Sequence, residues 1–77
     1  MPTIFRIGRL KIQVFADDHL PPHFHIVGPE FEMLVAISGL TILKGERYHR
    51  EAKEAMEWAR QNPDLLSNAW AQLNDER

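Results

Sequence analysis

What most constrains this chain is a single change of hydrophobic rhythm near residue 46. Before it, apolar side chains recur at every second position; after it, they recur at helical spacing. A period of two belongs to half-buried strands, and one of 3.6 to amphipathic helices. Strands therefore come first and helices second, with no helix between strands. That order specifies an α+β fold: an antiparallel sheet of four to five strands, followed by two C-terminal helices packed on one of its faces.

The strand region carries its own punctuation. Residues 4–7 and 10–15 alternate about Gly8-Arg9, a tight hairpin turn. A third strand is predicted over 23–27, a fourth over 31–37 after Gly28-Pro29, and a short edge segment over 40–43 after Ser38-Gly39. The first helix is predicted over 49–61 from the stripe Ala52, Ala55, Met56 and Ala59, with Lys53 and Glu57 as an i,i+4 pair. Asn62-Pro63-Asp64 then ends one helix and starts the next. Asn62 suits the N-cap, Pro63 the first helical position, and Asp64 complements the dipole. Leu65, Leu66, Ala69, Trp70 and Leu73 are the expected buried stripe of the second helix, with Trp58 at the edge of the first stripe. Residues 1–77 make one domain, with the sheet in residues 1–45 and the helices in residues 46–77. A chain this short buries only about 60% of its unfolded surface and supports one small core.

Composition narrows the functional classes. There is no cysteine, so disulfides and thiolate metal sites are excluded, and any metal needs histidine, carboxylate or carbonyl ligands. No apolar run approaches the roughly 20 residues that span a bilayer, and no membrane partner is expected. The opening MPTIFRIGRLKIQVF lacks the features of a signal peptide, so a cytoplasmic location is expected. The formal charge is -2. Duplex DNA is therefore not an expected partner, because its binders carry a strong basic footprint; a local patch could still contact RNA.

One stretch concentrates chemistry: DDHLPPHFHIVGPE, residues 17–30. His23 and His25 project from the same face of the third strand with Cα atoms about 6.5–7 Å apart, close enough for both rings to reach one ion. An extended path through Pro21-Pro22 would hold His19 about 12 Å from His23. A bent loop or a cis peptide before either proline would close that gap; otherwise Asp17 or Asp18 orients His19 by hydrogen bonding. HFHIVGPE adds Glu30 at the H-x-H-x4-E spacing of the first cupin metal motif, although 77 residues cannot readily hold a cupin barrel and two helices. His19, His23, His25 and Glu30 are thus a candidate set for a divalent transition metal such as zinc. A metal-free alternative uses His23 and His25 for proton transfer with His19 held by Asp18, while Arg6 and Lys11 stabilise phosphate charge, a sufficient kit for RNA cleavage. The third alternative is a structural loop and strand with solvated cations.

The segments MPTIFRIG, DDHLPPHFHIVG and EAMEWARQNPDLLSNAW together resemble the bacterial family called domain of unknown function 4160. Its most specific element is D-H-x-P-P-H-x-H, carried here by Asp18, His19, Pro21, Pro22, His23 and His25. The family has no established activity. The resemblance implies a small bacterial protein that belongs to a toxin-antitoxin-like gene pair and has a cognate small protein partner. Leu20 departs from the usual pattern, and LKGERYHREA lacks the serine-type cap often seen before the first helix. The leading expectation is a component of such a module whose histidine-bearing sheet face contacts RNA or a metal, with ribonuclease activity. The alternatives are a non-catalytic protein-protein interaction domain and a simple metal-binding domain. Nothing in the sequence sets the oligomeric state.

Overall fold

The computed structural model of the chain describes residues 3–16, 19–45 and 50–74. Five strands, β1 (Thr3–Ile7), β2 (Leu10–Gln13), β3 (His23–Val27), β4 (Glu32–Ala36) and β5 (Ile42–Lys44), precede two helices, α1 (Ala52–Gln61) and α2 (Pro63–Asn74). The strands pair antiparallel in the order β1-β2-β3-β4-β5, each with its neighbour in sequence. This is the α+β arrangement that the change of rhythm implies. The fifth strand forms two residues later than expected, because the turn after β4 runs through Leu40.

Alternation chooses the buried face. Leu10, Ile12, Val14, Phe24, Ile26, Met33 and Val35 meet Ala52, Ala55, Ala59, Leu66 and Trp70 in one core. Three alanines on the inner side of α1 let its backbone lie close to the sheet, and Leu66 and Trp70, one turn apart, fasten α2. The stripe of α2 is narrower than its sequence suggests. Leu65 and Leu73 are 46% and 38% exposed. Leu65 lies about 100° around the helix from Leu66, beyond what a single supporting sheet covers, and Leu73 belongs to the last turn.

Local chemistry also departs from expectation at the helix ends. Asn62 closes α1: its side-chain amide donates to the Trp58 carbonyl at 2.8 Å and its backbone N–H to the Ala59 carbonyl at 3.1 Å. Its own carbonyl accepts the Leu66 N–H at 3.2 Å, so one residue serves both helices. At the other end of α1, Glu51 occupies the cap position in helical conformation and makes no side-chain cap bond. The start of this helix expected at position 49 lies outside the described residues. Glu57 bonds to Arg60 at 2.8 Å rather than to Lys53, the order in which the acid lies N-terminal to the base.

Outside the core, side chains also tie the sheet to α1 and to the residue before it. Arg9, in the β1–β2 turn, donates two 2.9 Å hydrogen bonds to the Glu51 carboxylate, which holds the guanidinium pKa above its ordinary value. Phe5 stacks on Trp58 with centroids 4.6 Å apart and planes 11° from parallel. A register shift between Thr3 and Phe5 interrupts alternation there and leaves Phe5 partly exposed. Among the described residues, no helix is long and apolar enough to cross a membrane.

Candidate functional site

Strand register, more than sequence proximity, assembles the polar face. Gln13 opposes His25, His25 opposes Leu34, and Leu34 opposes Lys44, with Thr3 opposite Gln13 at the far edge. Directly opposed residues share a face, so these five form one row across the sheet. The adjacent row is Arg6, Lys11, Val27 and Glu32. The two rows bring His25, Glu32, Arg6, Lys11 and Lys44 to the side of the sheet opposite the β2 and β4 core residues.

The Nδ1–H of His25 donates to Glu32 Oε2 at 2.9 Å across the β3–β4 pair. A carboxylate only accepts, so this bond places the proton of a neutral ring on Nδ1 and makes Nε2 the basic atom. Phe15 meets the ring edge-on with centroids 4.6 Å apart. The His25 side chain is 13% exposed and that of Glu32 53%. Beside them lies a shallow depression of about 400 Å³ lined by His25, Glu32, Leu34, Lys44 and Gly45.

His23 occupies a different setting. It is 1% exposed, and its Nδ1–H donates to the Pro21 carbonyl at 2.8 Å. Its ring centroid lies 5.2 Å from each of His19, His25 and Trp70. The Leu20–Pro21 peptide is cis, and the Pro22 carbonyl accepts the Ile37 N–H at 3.0 Å, which ties the loop to the end of β4. The rings of His19, His23 and His25 form a chain, whereas an extended Pro21-Pro22 path would hold His19 about 12 Å from His23. His19 itself is exposed. Asp17 and Asp18 lie outside the described residues, as do Tyr48 and His49.

Glu30 does not join the histidines. It sits exposed in the β3–β4 turn, where Gly28 N–H donates to the Phe31 carbonyl at 2.9 Å, and its charge acts on Arg9. The carboxylate that reaches the histidine row is Glu32. A turn centred on Pro29-Glu30 fixes the register, placing Leu34 opposite His25 and Glu32 on the diagonal, so that turn was the available sequence signal. Gly28 permits the turn to pack closely: a Cβ there would lie 2.9 Å from Leu10 Cδ2 and from Phe31 Cε1. Among the described residues, no group of three or more histidine, aspartate or glutamate side chains is placed to hold a metal ion. The arrangement that is present, an imidazole oriented by a carboxylate with a lysine beside it, can transfer a proton next to an anionic group.

No curated protein and no solved structure is similar to the chain at a significant level. A family profile does match: that of the domain of unknown function DUF4160, over residues 9–71. The matched span takes in β2 to β5, the histidine loop, α1 and most of α2, and the chain therefore belongs to the DUF4160 family.

Proposed function

We propose that this chain is a small cytoplasmic component of a bacterial toxin-antitoxin-like pair that acts on RNA as a metal-independent ribonuclease, regulated by its cognate protein partner. The observation that carries the chemistry is the 2.9 Å bond from His25 Nδ1 to Glu32, which presets the ring for proton transfer at Nε2. In the reaction, Nε2 takes the proton of a ribose 2′-hydroxyl while the 2′-oxygen bonds to the adjacent phosphorus. The bond from phosphorus to the 5′-oxygen breaks, and that oxygen recovers the proton from the imidazolium. The products are a 2′,3′-cyclic phosphate and a 5′-hydroxyl. Arg6 and Lys11 supply positive charge on the same face, and His23 and His19 support the loop behind the reacting ring.

Cleavage of single-stranded RNA in the presence of a chelator tests this reading. Wild-type protein should cleave, and His25→Ala should be slower by about 10²–10⁴-fold, the usual contribution of a general acid-base group. Glu32→Leu should retain binding but lower kcat and lose the nuclear magnetic resonance signal of the His25 Nδ1 proton, while Glu32→Gln, whose Oε1 still accepts that proton, should keep the signal and lose only the negative charge beside the imidazolium. Equal cleavage by wild type and His25→Ala would remove the ribonuclease reading and favour an interaction domain. Activity abolished by the chelator and restored by zinc would favour a metal site.

A further inference from the structure

The depression beside His25 has a second half that the proton-transfer chemistry does not use. Lys44 ends β5, an edge of the sheet, directly opposite Leu34 and thus in the row of His25. Two strand spacings, about 9.6 Å, separate the backbones of His25 and Lys44. Leu34, half-buried between them, gives the depression an apolar floor. Among the described residues Lys44 has no ion-pair partner, and the neighbouring Glu32 carboxylate is engaged by His25. We propose that Lys44 is the phosphate-binding residue of this site, and that the ligand it selects is the phosphodiester of a single-stranded nucleic acid, seated between the ammonium group and His25.

Gly45 makes the placement of Lys44 a property of the backbone. It adopts φ +103°, and a Cβ there would lie 2.7 Å from the Glu32 carbonyl oxygen and 3.0 Å from Met33 Cα. Only glycine lets the exit of β5 close this tightly over the start of β4. The approach that seats Gly45 on Glu32 also fixes the backbone of the adjacent lysine opposite Leu34, at the rim of the depression that His25 and Glu32 line. A lysine on a flexible edge would be an ordinary solvated cation; one followed by this contact has its backbone fixed beside the depression that the carboxylate-oriented imidazole lines. A free phosphate and a phosphodiester share this recognition chemistry, and the apolar floor of Leu34 favours the larger ligand, whose sugar and base extend past the phosphate.

This inference rests on the ribonuclease reading for its substrate, but its test does not require cleavage. Fluorescence polarisation with a fully 2′-O-methylated single-stranded oligoribonucleotide, which lacks the attacking hydroxyl, measures binding alone. Lys44→Met should weaken binding by about tenfold, as expected for loss of one charge-assisted contact. It should also make the slope of log affinity against log salt shallower by about 0.7, the share of one phosphate on a single strand. Lys44→Arg should restore most of both. Inorganic phosphate should compete only at high concentration; competition as strong as that of the oligonucleotide would overturn the choice of a phosphodiester. Lys44→Met binding with wild-type affinity and salt slope would overturn the assignment, even if unmodified RNA were cleaved. Lys44-dependent binding without cleavage of unmodified RNA would sustain the subsite and sink the ribonuclease reading.

Discussion

His23 and His25 stand two residues apart on β3, on nominally the same face, yet they meet different surroundings. His23 lies under Trp70 and against the proline loop, 1% exposed, with its Nδ1–H turned to a backbone carbonyl. His25, two positions further along, directs the same atom to a carboxylate at the rim of a depression. The difference comes from what covers each end of the sheet. Near His23, α2 closes down on the strand exits: Asn74 of its last turn donates to the Phe15 carbonyl at 3.0 Å. Alternation along a strand decides which face a side chain takes; how far the next layer extends decides whether that side chain meets water.

The contrast can be broken by substitution. Trp70→Ala should have the largest effect on stability, about 3–5 kcal/mol, because it empties the core position that also covers His23; urea denaturation would measure it. His23→Ala should follow at about 2–3 kcal/mol, through lost packing and the lost bond to the Pro21 carbonyl. Where His23→Ala remains folded it should still cleave RNA; a stable protein without activity would reverse the roles assigned to the two histidines. His25→Ala should change stability by less than about 1 kcal/mol, since its partner Glu32 is half-exposed and can be rehydrated. Glu57→Gln, on the outer side of α1, should cost only about 0.3 kcal/mol and serves as the surface reference.

Much of the fold was legible because it depends on periodicity. The strands, the two helices and the alanine stripe of α1 follow from residue spacing alone. The exposed Leu65 and Leu73 were not legible, since the width of a helix's buried stripe depends on how much surface its neighbour offers. The place of Asn62 between the two helices is legible, but the direction of its side chain is not: it turns back to the Trp58 carbonyl of α1, while only its backbone carbonyl serves α2. At the site, His25 and the cations Arg6 and Lys11 could be placed on one face from alternation. Glu30 has the metal-motif spacing in sequence, but it is Glu32 that strand pairing brings to His25. The bend that gathers His19 with His23 could be named as a condition and not deduced, because an X-Pro bond permits both isomers.

The sheet order has a kinetic consequence. Every strand pairs with its immediate neighbour in the chain, so the sheet can assemble through a succession of short loop closures. Each closure carries a small entropic cost and leaves the next pairing partner already nearby. Low contact order of this kind favours rapid, cooperative folding. The meander would present a template on which α1 and α2 condense, and the two halves of the depression, carried by β3, β4 and β5, would be joined as soon as the last hairpin forms.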